Sequence, residues 1–281
     1  MILSISFAFS QATDYVQMGA SSLKIEGKNY LAISLDNDEG WHTYWKNPGD
    51  AGLELKFKFK INNQDIILTD LPWPTPKRYI EQGTMWAYGY SNQYAFFYEL
   101  PEETRNQELN IVGTWLVCKD ICIPGTKTVN LNLGDFNSST SHTLPEKELT
   151  KIFERLPSAA SNPKIDLYLT KGYKDNQLAL HYIIEDYDLA LHRKSSNIIT
   201  PYLKVPLDYK HEEIYYDENS KTLFGRTYIE WDGIYEEPIW NLPTDGVFKT
   251  ELITKFLFNY PNNQNSKIIT KSFKEFTLTG D

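Results

Sequence analysis

Cys118 and Cys122 are the two cysteines of a 281-residue chain. Only Lys119, Asp120 and Ile121 separate them. Two thiols so close in sequence could staple a loop, clip a soft metal ion, or exchange electrons as a dithiol and disulfide. None of these works within one extended strand, because ~3.3 Å per residue would put the pair about 13 Å apart, and a bridge needs Cα atoms within ~7 Å. The chain must fold back. With Lys119-Asp120-Ile121 as the tip of a hairpin, the cysteines become facing neighbours at ~4.5–5.5 Å. One helical turn would also bring them near, but Trp115-Leu116-Val117 before and Ile123-Pro124 after favour strand.

As a staple the bridge would contribute little, since closing a five-residue loop removes only about 2 kcal/mol of unfolded-state freedom. A tight bridge near a hairpin end suits reduction and re-formation. Lys119 would favour the thiolate and Asp120 oppose it. A metal clip needs further ligands, and only His42 and Met85 offer themselves. Cu(I) would accept two thiolates with Met85. Structural bridge, redox pair and Cu(I) site all stand on the residues alone.

The elements that must hold the pair read as strands. Ser21 to Leu133 carries short apolar runs broken by turn signals, among them Tyr30–Leu35, Leu53–Phe59, Ile66–Leu68, Gln93–Tyr98, Leu109–Val112 and Thr128–Leu133. Leu53 to Lys60 alternates apolar and charged residues, the period of a strand with one face in water. Asn47-Pro48-Gly49-Asp50 suits a type II turn, and Pro72 to Pro76 an extended loop. Spaced strands without helical pattern between them predict a β-sandwich. Trp41, Tyr44, Trp45, Trp73 and Trp115 are expected in its core and sheet packing.

Residues 137–163 differ in composition. Ser138 to Ser141 is a polar spacer, and Pro145 to Leu156 reads as a short helix with Thr143 as N-cap, Pro145 in the first turn, and Glu146 and Glu148 at the positive end. Strand patterns resume at Ile165–Leu169, Leu178–Ile184, Glu213–Tyr216, Thr222–Trp231 and Leu252–Tyr260, punctuated by turn signals such as Asp217-Glu218-Asn219. The expected organisation is a first all-β domain over 18–136, a linker over 137–163 and a second all-β domain over 164–281. His181, His192 and His211 are scattered through the latter and expected to be ordinary.

Composition excludes other classes. Hydrophobic residues make up 41% and aromatics 14% of the chain, enough to fill a core. A net charge of -9 without a basic run disfavours nucleic acid. No apolar run approaches the ~20 residues needed to cross a bilayer. No serine-histidine-acid set, phosphate-binding glycine loop or His-x-x-x-His spacing can be assembled. Met1 to Ala12 is a short apolar run ending Ser10-Gln11-Ala12, which predicts an export segment within residues 1–17 and a mature start near Thr13.

Trp115-Leu116-Val117-Cys118-Lys119-Asp120-Ile121-Cys122-Ile123-Pro124, Gly40 to Gly52 (GWHTYWKNPGDAG) and Trp86-Ala87-Tyr88-Gly89-Tyr90 together carry a resemblance. Over about residues 18–135 the chain resembles the N-terminal periplasmic domain of DsbD-type thiol:disulfide interchange proteins, in particular the branch linked to suppression of copper sensitivity. The resemblance implies an immunoglobulin-like sandwich acting as a thiol:disulfide oxidoreductase without cofactor or metal. It implies a bacterial, periplasmic protein, tied to copper tolerance and cytochrome c-type biogenesis. Its implied partners are a membrane-embedded thiol:disulfide transporter domain and periplasmic thioredoxin-like proteins, with the chain itself not membrane-spanning. Cys118 and Cys122 would cycle between dithiol and disulfide, with Cys122 as the sulfur attacked, and Trp86, Tyr88, Gly89 and Tyr90 would lie in a cap that shields them. The chain departs from the best-studied branch in its shorter cysteine spacing and in Met85, Trp86 and Ala87, where that branch has an acidic pair and a phenylalanine. The alternative of another class is a non-catalytic interaction module with a structural disulfide.

Overall fold

A computed structural model describes residues 15–159, 164–171, 178–186, 199–202, 207–229, 247–248, 252–258, 267–273 and 276–277. Met1 to Ala12, read as an export signal, and His192 lie outside the described residues. The chain divides into two compact units. The first takes Met1–Lys46, Leu53–Pro74 and Gly89–Glu154, and the second takes Asn47–Gly52, Thr75–Tyr88 and Arg155–Asp281.

Ten strands come first: β1 (Val16–Ile25), β2 (Lys28–Asn37), β3 (His42–Gly49), β4 (Lys56–Ile61), β5 (Gln64–Ile66), β6 (Lys77–Glu81), β7 (Met85–Ser91), β8 (Gln93–Glu99), β9 (Glu108–Cys118) and β10 (Cys122–Asn132). One sheet runs β1-β2-β8, and the other β5-β4-β9-β3-β7-β6 with β10 added on β9. The long strand β9 organises the second sheet. β10 lies along one edge of it, while on the opposite edge β4 pairs from Leu109 to Thr114 and β3 takes over at Val117 and Cys118.

Period-two patterning decides which side of β9 enters the core. Leu109, Ile111, Trp115 and Val117 are buried, and the glycine between them, Gly113, lies against the Met18 sulfur of β1. Phe57 of β4 meets Phe96 of β8 at 5.5 Å between ring centres, and the Thr43 hydroxyl hydrogen-bonds that of Tyr94. These contacts join the two sheets as a sandwich. Trp115 sits opposite Gly125, where any Cβ would fall 2.3 Å from the indole nitrogen. A bare glycine is what lets the indole lie flat on the neighbouring strand.

The outer face of the three-stranded sheet is covered as well. Helix α1 (Glu146–Glu154) sets Phe153 against Phe97 and Tyr30 at 5.2 and 5.0 Å. That cover explains why β8 is buried at five consecutive residues instead of alternating. The segment read as a polar spacer is itself packed. Ser22 N–H donates to the Ser138 carbonyl, Thr140 N–H donates to that of Ala20, and the backbone at His142 passes within 2.4 Å of where a Gly19 Cβ would stand. Its hydroxyl-rich composition serves hydrogen bonding along β1.

Thr143 does not cap the helix. Its hydroxyl meets the Ser34 hydroxyl at 3.4 Å, three residues ahead of the helix, and the Pro145 carbonyl accepts from the amides of Glu148 and Leu149. The predicted strand from Leu53 starts instead at Lys56, leaving Leu53 exposed. Gly49 has φ of +91°, as the glycine of the predicted turn requires.

The second half is also β-structure: β11 (Ser158–Ala159), β12 (Ile165–Lys171), β13 (Leu178–Ile184), β14 (Ile199–Tyr202), β15 (Leu207–Asp217), β16 (Thr222–Ile229), β17 (Val247–Phe248), β18 (Leu252–Phe258), β19 (Lys267–Phe273) and β20 (Phe276–Thr277). They form sheets β12-β13-β16-β15 and β11-β19-β18-β14 and a β17-β20 ribbon. The strands read at 165–169, 178–184, 213–216, 222–229 and 252–258 are present. Their predicted extensions to Trp231 and Tyr260 lie outside the described residues. The fold class is all-β, and no helix among the described residues is long and apolar enough to cross a membrane.

Candidate functional site

Cys118 ends β9 and Cys122 begins β10, directly opposite each other across the hairpin. They form a disulfide with Cα atoms 4.2 Å apart. Lys119 N–H donates to the Ile121 carbonyl at 3.1 Å and closes the three-residue tip. The two sulfurs have unequal surroundings. Cys118 is 2% exposed, whereas Cys122 is an exposed residue, and Ile121 beside it is 63% exposed.

Both cysteines stand on the face of the sheet turned away from the sandwich core, because they alternate with the core-facing Val117. His42 of β3 is the sheet partner of Cys118 on the other edge of β9. Residues paired across a sheet project to one face, so His42, Cys118 and Cys122 form a row across β3, β9 and β10. Tyr44, two residues along β3, joins the same face. Its hydroxyl lies 4.0 Å from the Cys122 sulfur, and its ring meets His42 edge-on at 5.3 Å. His42 and Tyr44 are both buried. Tyr44, read from sequence as packing, is thus a neighbour of the pair. The Lys119 ammonium donates to the Glu39 carbonyl at 3.4 Å, so it is engaged at the turn before β3. Asp120 is exposed.

The four residues of the aromatic motif divide between the units. Trp86 and Tyr88 fall in the second, Gly89 and Tyr90 in the first. Trp86 is fastened by its backbone to Asp50: its N–H donates to the carboxylate at 3.0 Å, and its carbonyl accepts the Asp50 N–H at 2.7 Å. The Arg78 guanidinium lies 3.5 Å above the indole centre, a cation–π contact. Gly49 is required here, since a Cβ would stand 2.3 Å from the Trp86 carbonyl oxygen. Tyr88 is buried. Gly89 passes so near the Thr43 carbonyl that a Cβ would be 1.9 Å from its oxygen. Tyr90 packs inside the sandwich, stacked on Tyr94 at 4.8 Å, with its hydroxyl donating to the Pro74 carbonyl at 2.8 Å.

The second unit holds a polar cluster that sequence reading missed. Tyr182, fully buried, donates its hydroxyl to Glu212 at 2.7 Å. Burial pushes the Glu212 carboxyl up to about 7, against the pull of the Tyr182 hydrogen bond and of Arg78, while Asp50 adds to the rise. In sequence Glu212 sits in His211-Glu212-Glu213, which reads as a solvated run. Two histidines there have local partners: His181 stacks on Tyr168 at 4.5 Å and pairs with the Thr170 hydroxyl, and the exposed His211 pairs with Asp208 at 2.7 Å.

Residues 14–133 match the family described as "Thiol:disulfide interchange protein DsbD, N-terminal". Among solved structures, the N-terminal periplasmic domain of ScsB from Proteus mirabilis is similar in fold, with a TM-score of 0.62 at 19% identity over 92% of this chain and 94% of that one. Curated protein sequences give no significant match. The sandwich that carries Cys118 and Cys122 is thus similar over residues 14–133 to the N-terminal domain of DsbD-type thiol:disulfide interchange proteins, the family its motifs resemble.

Proposed function

We propose that this chain is a periplasmic thiol:disulfide exchange protein that relays electrons through Cys118 and Cys122, from a membrane-embedded redox domain to periplasmic thioredoxin-like proteins. The observation that carries the reading is the unequal exposure of the two cysteines at one hairpin tip. Exchange needs one sulfur within reach of an incoming thiolate and a second that resolves the mixed disulfide from behind. Cys122 has the first position and Cys118 the second. The redox role is assigned to the sandwich over 18–136, the connection to 137–163, which packs on that sandwich through its helix, and a second domain of the same protein to 164–281.

Trp86 and Tyr88 are assigned the covering role in the cap, and Gly89 and Tyr90 the anchoring of the segment in the sandwich. A cover that partners displace would limit reaction to those partners.

The test is partner trapping with glutathione disulfide as probe. Cys118→Ser is expected to accumulate a stable mixed disulfide at Cys122, while Cys122→Ser leaves Cys118 slow to react. Faster modification of Cys118 than of Cys122 would contradict the assignment.

A further inference from the structure

We propose that His42 is the proton acceptor for Cys118 in the step that resolves a mixed disulfide; this rests on the exchange reading above. The reaction has two displacements. In the reduced chain the Cys122 thiolate attacks a partner disulfide, a Cys122–partner S–S bond forms, the partner's own S–S bond breaks, and its second sulfur leaves and takes up a proton. Cys118 then attacks the Cys122 sulfur, the Cys118–Cys122 bond forms, the mixed bond breaks, and the partner leaves as a dithiol. Two electrons have passed to the partner and the pair is oxidised.

The second displacement carries the difficulty. Only the thiolate attacks, so Cys118 must first lose its proton. At 2% exposure Cys118 has little contact with water to receive it, and burial opposes the charged form of a thiol. A neighbouring group has to take the proton. His42 is the residue paired with Cys118 on the edge of β9 opposite Cys122, on the same face and buried with it. Facing side chains in such pairs have Cβ atoms roughly 4.5–5.5 Å apart, which suits an imidazole and a thiol. Imidazole is the side chain best suited to accepting and passing on a proton near neutral pH.

The other ionisable groups that the first unit brings to the row are differently placed. Tyr44, on the same strand, directs its hydroxyl to the Cys122 sulfur. Lys119 at the tip of β9 is bonded to the Glu39 carbonyl, and Asp120 is exposed at the tip. Tyr44 also meets the imidazole edge-on, so one ring fixes the orientation of His42 while its hydroxyl approaches the sulfur that partners attack.

The experiment follows both displacements in the full chain. Reduced protein is mixed with glutathione disulfide, quenched in acid at intervals, and read by mass for glutathionylated Cys122 and for the closed Cys118–Cys122 bridge. His42→Gln is expected to slow the second step by about a hundredfold at neutral pH, the low end of general-base contributions, and to leave the first step near its original rate. Raising the pH above the ordinary thiol range should bring variant and parent rates together, because Cys118 then ionises unaided. His42→Asn repeats the comparison if the glutamine variant folds poorly. An unchanged second step, or an equal slowing of both steps, would overturn the assignment, the latter marking a packing role. A midpoint potential of the parent pair outside the exchange range would sink the exchange reading instead. An in-range midpoint with an unaffected second step would overturn the role of His42 alone.

Discussion

Two hairpins in the molecule turn with different chemistry at their tips. β15 and β16 are joined through Asp217 to Thr222, where the Asp217 carboxylate accepts the Asn219 N–H at 3.0 Å and the Ser220 hydroxyl at 2.8 Å, and the Thr222 hydroxyl donates to the Ser220 carbonyl. Those hydrogen bonds hold the Asp217 carboxyl below its ordinary value. β9 and β10 turn in three residues and carry a covalent bridge across the last pair. Both hairpins are otherwise built alike. Each belongs to a sheet in which an aromatic ring lies on a glycine of the next strand, Trp115 on Gly125 and Tyr182 on Gly225. The polar turn shows that a hairpin of this protein closes without sulfur. The bridge at the other tip therefore has little structural work to do, as the proposed exchange role expects.

The largest effect that sharpens this contrast is chemical. Cys122→Ala should abolish exchange with glutathione disulfide entirely while lowering unfolding free energy by only about 2 kcal/mol, read by urea denaturation. A collapse of the fold in that variant would make the bridge a staple after all. Next come the two glycines. Gly125→Ala and Gly225→Ala place a Cβ 2.3 and 1.9 Å from ring atoms, so each should cost about 1–3 kcal/mol by overpacking. Near-neutral behaviour of either would show that its ring can move aside.

A pH effect of intermediate size belongs to the second unit alone. Glu212 has its folded-state value raised to about 7, above that of an unfolded carboxyl. The native state therefore holds the proton more tightly than the unfolded chain. The stabilisation is complete below the unfolded value and declines as pH rises toward about 7, with a slope of at most about 1.4 kcal/mol per pH unit. Glu212→Gln should flatten this slope in urea titrations run at successive pH values, and an unchanged slope would contradict the cause given. The smallest effect is expected of Asp217→Ala, a slight fall in the urea midpoint with exchange at Cys122 untouched.

Much of the first sandwich was legible because local pattern and tertiary role agree there. The strands of β2, β8, β9 and β10 follow the apolar runs, and the geometry of an extended chain demanded the fold-back at Lys119-Asp120-Ile121. The rest depended on contacts between distant segments. Nothing local in Thr143 shows that Ser34, more than a hundred residues away, takes its hydroxyl. The assignment of Asn47–Gly52 and Thr75–Tyr88 to the same unit as the C-terminal half likewise leaves no periodic signature. Glu212 looks like surface charge until Tyr182 is seen beside it. His42 was visible in sequence only as a metal-ligand candidate; its pairing with Cys118 depends on the β3–β9 register.

The most direct test of the central claim is the redox equilibrium of the full chain in graded glutathione and dithiothreitol buffers, with Cys118 and Cys122 followed by alkylation and mass. An electron relay predicts a midpoint between about -180 and -270 mV, the span of known exchange proteins. A bridge that stays closed until well below about -300 mV would contradict it and leave a stapled interaction module.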